Sequence, residues 1–133
     1  MKIQNNKKIL NNMDDYVTFE IAKKLKEKGY SQGNKSDITE KYYTISDSLK
    51  AAIMLANNED VEWYCPTISQ VLKWLREDKN IHICISYSDN INAMWEYEII
   101  LLEGALYQNA DSAYISYEQA ALAGIEYTLD NLI

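Results

Sequence analysis

The chain of 133 residues has one proline, one phenylalanine, one histidine, two cysteines and four glycines. It also has no Lys or Arg after Lys79. Each scarcity removes a class of function. A lone histidine cannot build the closed Cys and His sets of structural zinc. Cys65 and Cys84 form no C-x-x-C pair and no disulfide framework, so two reduced thiols and a cytoplasmic location are expected. Gly29 and Gly33 stand apart, without the G-x-G-x-x-G or G-K-[ST] context that cradles phosphates, so no nucleotide cofactor is expected. Asp14-Asp15 and Glu59-Asp60 lack the D-x-D-x-D-G spacing of a hard-cation loop, so no metal is expected either.

No apolar run approaches the roughly 18 residues of a membrane span. The opening lysines, Lys2, Lys7 and Lys8, are followed by no apolar stretch of the kind a secretion signal needs. The charge is divided along the chain. Up to Lys79, thirteen bases face twelve acids; from Asn80 onward eight acids face none, a net −8. Phosphate backbones are held by Lys and Arg, so nucleic acid is excluded as a partner of the C-terminal half, and a basic protein surface suits it instead.

What is present is an ordinary globular composition, 47% apolar and 25% charged, of a length that fits a single domain over residues 1–133. Eleven Tyr and three Trp dominate the aromatics. Their rings bury well but keep a polar tip, which places them at core edges or contact surfaces.

Residues 1–15 are polar and without period, and read as a disordered arm or a short strand. Thr18 caps a helix with Phe19, Ile21, Ala22 and Leu25 on its apolar stripe, Lys23, Lys24, Lys26 and Lys28 in water, and Gly29 as its stop. Ser31 to Lys41 reads as loop, Tyr42–Ile45 as a short strand, and Ser48–Ala56 as a helix capped by Ser46 or Asp47. Pro66 blocks a helix upstream, and Thr67-Ile68-Ser69-Gln70 has the T-x-x-Q form of a capping box. The helix it opens runs to about Asp78 with Ile68, Val71, Leu72 and Leu75 on one face.

Ile81 to Tyr87 alternates with period two, Ser88-Asp89-Asn90 supplies a turn, and Met94 to Leu102 makes the returning strand. A one-residue slip would expose a whole apolar set, so odd numbers must pair with odd. Ile81, Ile83, Ile85 and Tyr87 then share a face with Trp95, Tyr97, Ile99 and Leu101, and His82, Cys84 and Ser86 share the other with Glu96 and Glu98. Gly104 to Asp111 reads as loop and Ala113-Tyr114-Ile115 as a third strand. Ser116-Tyr117-Glu118-Gln119 opens a last helix with Ala121, Leu122, Ile125, Leu129 and Leu132 toward the core. Gly124 inside that helix implies a close neighbour, since glycine there costs roughly 1 kcal/mol against alanine. The expected fold is α+β: a small three-stranded antiparallel sheet with helices on one face, in helix-strand-strand-strand-helix order, plus an N-terminal helical portion. Double-stranded-RNA-binding modules share that order, but they read phosphates with basic side chains that this half lacks.

Two constellations carry chemistry. His82, Cys84 and Glu98 offer a thiol, a base and an orienting acid on one sheet face; the plainer reading is a surface histidine across from an acid. Tyr87, Glu96, Glu98, Tyr107 and Tyr114 offer an acidic, tyrosine-rich binding surface, set against simple core-edge packing.

Three segments, VTFEIAKKLKEKG at Val17–Gly29, PTISQVLKWLRE at Pro66–Glu77 and SYEQAALAGIEY at Ser116–Tyr127, resemble a family of short uncharacterised proteins carried by prophages and mobile elements of gut bacteria. The resemblance implies no activity, no cofactor and no catalytic residue. Thr44 to Tyr64 shows the least likeness, so the helix there rests on local signals. The resulting expectation is a non-enzymatic accessory protein that binds a protein partner through its acidic half. A small cysteine-dependent enzyme using His82 and Cys84, or a self-associating structural component that forms homo-oligomers, are the alternatives.

Overall fold

The computed structural model describes residues 3–5, 16–34, 36–88, 94–102, 104, 106–108 and 113–133, with only the backbone described for 3–5 and 106–108. The mixed α+β class is as expected, with four helices among the described residues. Strands are distributed otherwise than expected: in place of one sheet and a helical N-terminal portion there are two small antiparallel sheets. They fall in two compact units, Met1–Pro66 and Thr67–Ile133.

In the first unit, β2 (Tyr42–Ile45) pairs antiparallel with β1 (Ile3–Asn5) on one edge and β3 (Glu62–Tyr64) on the other. Of the arm expected over residues 1–15, Ile3–Asn5 is strand; the rest lies outside the described residues. Helix α1 (Phe19–Glu27) starts at Thr18, whose hydroxyl accepts from Ile21 N at 3.3 Å. It ends where Gly29 takes φ +86° and Tyr30 N donates to Leu25 O at 2.9 Å. That pairing of a left-handed residue with a bond back to the last turn satisfies otherwise orphaned carbonyls. Ile21, Ala22 and Leu25 are buried, and Phe19 meets Tyr43 and Trp63 edge-on at 5.7 and 5.1 Å between ring centroids.

One side chain departs from expectation, and one helix stays uncovered. Lys26, assigned to a solvated face, pairs with Asp60 at 3.1 Å and donates to Glu62 O at 2.9 Å. Helix α2 (Ser48–Ala56), capped by Asp47, buries none of its residues although Leu49, Ile53 and Leu55 are apolar.

Tyr43 carries a prediction. Its hydroxyl donates to Val17 O at 2.6 Å, and burial pushes its phenol far above the ordinary value, with the neighbouring Cys65 thiol adding to the rise. Because the folded value lies above the unfolded one, the folded state favours the neutral phenol. Its contribution is complete below pH 10 and shrinks as pH climbs past it. Urea unfolding at stepped alkaline pH is expected to show stability falling beyond pH 10, with a shallower fall in Tyr43→Phe. Tyr30 and Tyr42, also raised mainly by burial, supply the remaining slope.

In the second unit, Thr67 and Gln70 complete the expected capping box, with bonds of 3.1 and 2.9 Å. Helix α3 (Ile68–Asp78) buries Ile68, Val71 and Leu75. Asn80 turns the chain at φ +58° into β4 (Ile81–Ser88), which pairs antiparallel with β5 (Met94–Leu101). Their register joins Ile81 to Leu101, Ile83 to Ile99, Ile85 to Tyr97 and Tyr87 to Trp95, odd with odd as the alternation requires. The turn expected at Ser88-Asp89-Asn90 lies outside the described residues from Asp89 on.

The last strand is displaced from its expected place. β6 (Leu106–Gln108), inside the stretch read as loop, pairs with β5, whereas Tyr114 makes only an isolated bridge to Trp95. Both segments run along the same edge of β5, and three alternating residues could not rank them.

Helix α4 (Tyr117–Asn131) begins at Ser116, whose side chain accepts from Gln119 N at 3.1 Å. Its buried face is Ala120, Ala121, Gly124, Ile125, Thr128 and Leu129, with Leu122 and Leu132 on the margins rather than inward. Thr128 is tolerated inside because its hydroxyl donates to Gly124 O at 2.8 Å. Gly124 has the close neighbour its position implies: a Cβ there would lie 3.0 Å from Ile83 Cγ2 and 3.1 Å from the Tyr97 ring.

Candidate interaction surface

Strand parity decides what each face of the β4–β5 pair displays. The odd face is covered toward the α4 midpoint, where Ile83, Tyr97 and Ile99 are buried. Farther along the same face, toward Tyr87 and Trp95, the cover runs out. Tyr87 is 53% exposed and Tyr117, in the first turn of α4, is 38% exposed. Trp95 stands between them, edge-on to Tyr87 at 5.2 Å and to Tyr117 at 5.7 Å. The result is a chain of three rings along the rim where α4 begins, with Ile115 beside it 72% exposed. Tyr97 meets Tyr114 at 6.1 Å and joins the rim to the core.

The even face is open. His82, Cys84 and Ser86 are exposed, while Glu96 and Glu98 are half-buried directly opposite Ser86 and Cys84. His82, Cys84 and Glu98 therefore do share one face, but His82 lies across from Ile100 rather than from an acid. The thiol and imidazole stand in an exposed row on β4. A cavity of about 220 Å³ lies in the other unit, among Lys26, Gln32, Tyr42, Leu55 and Asp60. Among the described residues, no group of three or more His, Cys, Asp or Glu is placed to hold a metal ion, and no helix is long and apolar enough to cross a membrane.

The expected binding residues thus separate. Tyr87 is exposed on the aromatic rim, Tyr114 is half-buried behind it, and Glu96 and Glu98 are on the opposite face. The side chain of Tyr107 lies outside the described residues. Trp95 is the rim member that the sequence reading misses. Alternation put Trp95 on the inner face, and only the end of the α4 footprint shows that this face opens there. The electrostatic setting follows from where the units divide. Met1–Pro66 carries ten bases and ten acids, whereas Thr67–Ile133 carries three bases and ten acids. No family model, no curated protein and no solved structure matches the chain.

Proposed function

We propose that the chain is a non-enzymatic binding protein whose Thr67–Ile133 unit docks on a basic protein surface. The observation that carries this reading is the exposed Tyr87–Trp95–Tyr117 rim on a unit with ten acids against three bases. Tyr and Trp are the residues enriched in binding hot spots, because a large ring excludes water while its polar tip finds a partner. The unit's excess of acids speeds encounter with a positive surface and disfavours negative ones. A nucleic-acid enzyme, whose channel for the phosphate backbone is basic, is the partner class that suits such a surface. An accessory protein of a mobile element acting on its host's machinery would have this character.

The test is capture of partners by the tagged chain from host lysate at low and high salt, beside a Tyr87→Ala/Tyr117→Ala variant. Losing a hot-spot ring weakens binding about 30-fold. A basic protein recovered by the wild type at low salt is expected to be lost at high salt and with the variant. Recovery of the same proteins by both forms at both salt levels would sink the reading.

A further inference from the structure

Strand β4 is an edge strand: among the described residues, only β5 pairs with it. Two bonds show which of its backbone groups are left over. Leu102 N donates to Asn80 O, so even-numbered residues at this end of the pair point their backbone groups across to β5. Trp95 exchanges both its backbone bonds with Tyr114, so odd residues of β5 point the other way. The alternation of an antiparallel ladder then places the N–H and C=O of Ile81, Ile83, Ile85 and Tyr87 on the free edge of β4.

Edges of this length are usually blunted by charge, proline or a bulge. Ile81–Ser88 contains no Asp, Glu, Lys, Arg or Pro, and its pairing with β5 runs without a break over all eight residues. The strand is also complementary to itself. Turned about a two-fold axis through Cys84, it pairs Ile83 with Ile85 and Ile81 with Tyr87 of a second copy, apolar against apolar on the odd face. His82 then faces Ser86 of that copy on the even face. No like charges meet. Each outward residue brings one donor and one acceptor, so the pairing closes about eight backbone bonds.

We propose that a second copy of this chain docks on β4 by antiparallel strand addition, with Cys84 on the two-fold axis. Because the odd residues carry the new bonds, the two Cys84 residues form a non-hydrogen-bonded pair, with Cα atoms about 4.5 Å apart. That lies within the roughly 4.4–6.8 Å range of a disulfide. Glu96 and Glu98 of the two copies stand about three strand spacings apart, roughly 14 Å: inside the Debye length of about 30 Å at about 0.01 M salt, where they repel, and beyond that of about 8 Å at physiological salt, where the repulsion is screened. Self-association therefore strengthens as salt rises, the opposite of the charge-led docking proposed above, so the two readings fail separately.

The full chain is tested in reductant by sedimentation equilibrium from low micromolar to submillimolar concentration, at low and high salt. A monomer–dimer equilibrium that tightens with salt is expected. Cys84→Lys places two ammonium groups face to face on the exposed row, and is expected to leave a monomer with an unchanged circular dichroism spectrum. Ile85→Pro removes one outward N–H per copy while leaving the β4–β5 bonds intact, and is expected to weaken the dimer roughly 30-fold. Under oxidised glutathione, two Cys84 thiols give one disulfide while the oxidant takes up two protons and two electrons as two reduced glutathiones. The wild type is expected to yield a covalent dimer mapped to Cys84, and Cys84→Ser to yield none. A monomer at every concentration overturns the proposal, as does a dimer indifferent to Cys84→Lys. Should Ile85→Pro lose its fold by dichroism, the lysine variant and the disulfide map decide alone.

Discussion

Gly124→Val is expected to destabilise the Thr67–Ile133 unit by about 3 kcal/mol, whereas Gly124→Ala changes it little. Two effects of opposite sign act at this position. Any side chain improves on glycine in a helix interior, by roughly 1 kcal/mol for alanine and less for valine, whose branched Cβ is restricted there. Against this, a Cβ at Gly124 would sit 3.0 Å from Ile83 Cγ2 and 3.1–3.2 Å from the Tyr97 ring. Ile83 and Tyr97 are 6% and 3% exposed, so neither has open space to retreat into. A single methyl asks them to shift by a few tenths of an ångström, and the propensity gain offsets the cost. The two further methyls of valine lift α4 off the sheet, and overpacking of this kind costs about 1–3 kcal/mol, occasionally more. Urea unfolding followed by tryptophan fluorescence measures the difference. A valine variant as stable as wild type would mean that α4 does not sit on Ile83 and Tyr97.

The second large effect is expected in the Met1–Pro66 unit. Leu25→Ala is expected to cost about 3 kcal/mol, within the roughly 2–5 kcal/mol range of buried leucine truncations. Leu25 is fully buried on α1, and its carbonyl accepts the bond that closes the helix end. Truncation forfeits the transfer energy of the side chain and leaves a cavity that close-packed surroundings fill only in part. Leu55→Ala on α2 is the matched control. Leu55 is 59% exposed, and its removal is expected to change stability by less than about 0.5 kcal/mol. Chemical denaturation of both variants gives the contrast, and equal losses would contradict the burial of α1 over α2.

That contrast also marks a limit of sequence reading. Ser48–Ala56 is the more apolar of the two helices, yet it buries none of its residues, whereas the lysine-rich α1 buries Ile21, Ala22 and Leu25. What α1 presents is the narrow stripe at helical spacing that its sequence shows, and a stripe can be covered by a sheet. Lys26 teaches the same lesson about charge. Its place among four lysines marks a solvated face, yet Asp60 and the carbonyl of Glu62 meet it from a strand region far along the chain.

The candidate surface was legible in part. The outward acids Glu96 and Glu98 follow from alternation and charge counting, and Tyr87 from the polar tip of its ring alone. Trp95 was not legible as a surface residue. Nothing local distinguishes the covered Tyr97 from the uncovered Tyr87 on the same face; the difference is the reach of α4.

By itself the sequence determined what depends on neighbours a few residues away. Thr18, Thr67 and Ser116 cap their helices because a hydroxyl reaches an amide three residues on. Gly29 ends α1 because a left-handed residue suits glycine. The odd-with-odd register of β4 and β5 follows because a slip by one inverts every side chain. Only the tertiary structure decided which distant segments meet. It paired Ile3–Asn5 with β2 some forty residues on, gave the edge of β5 to Leu106–Gln108 with Tyr114 as a lone bridge, and left α2 unburied. Short strands have nearly equal intrinsic preference for pairing, so the choice falls to loop closure and to the area each pairing buries, quantities that belong to the assembled chain.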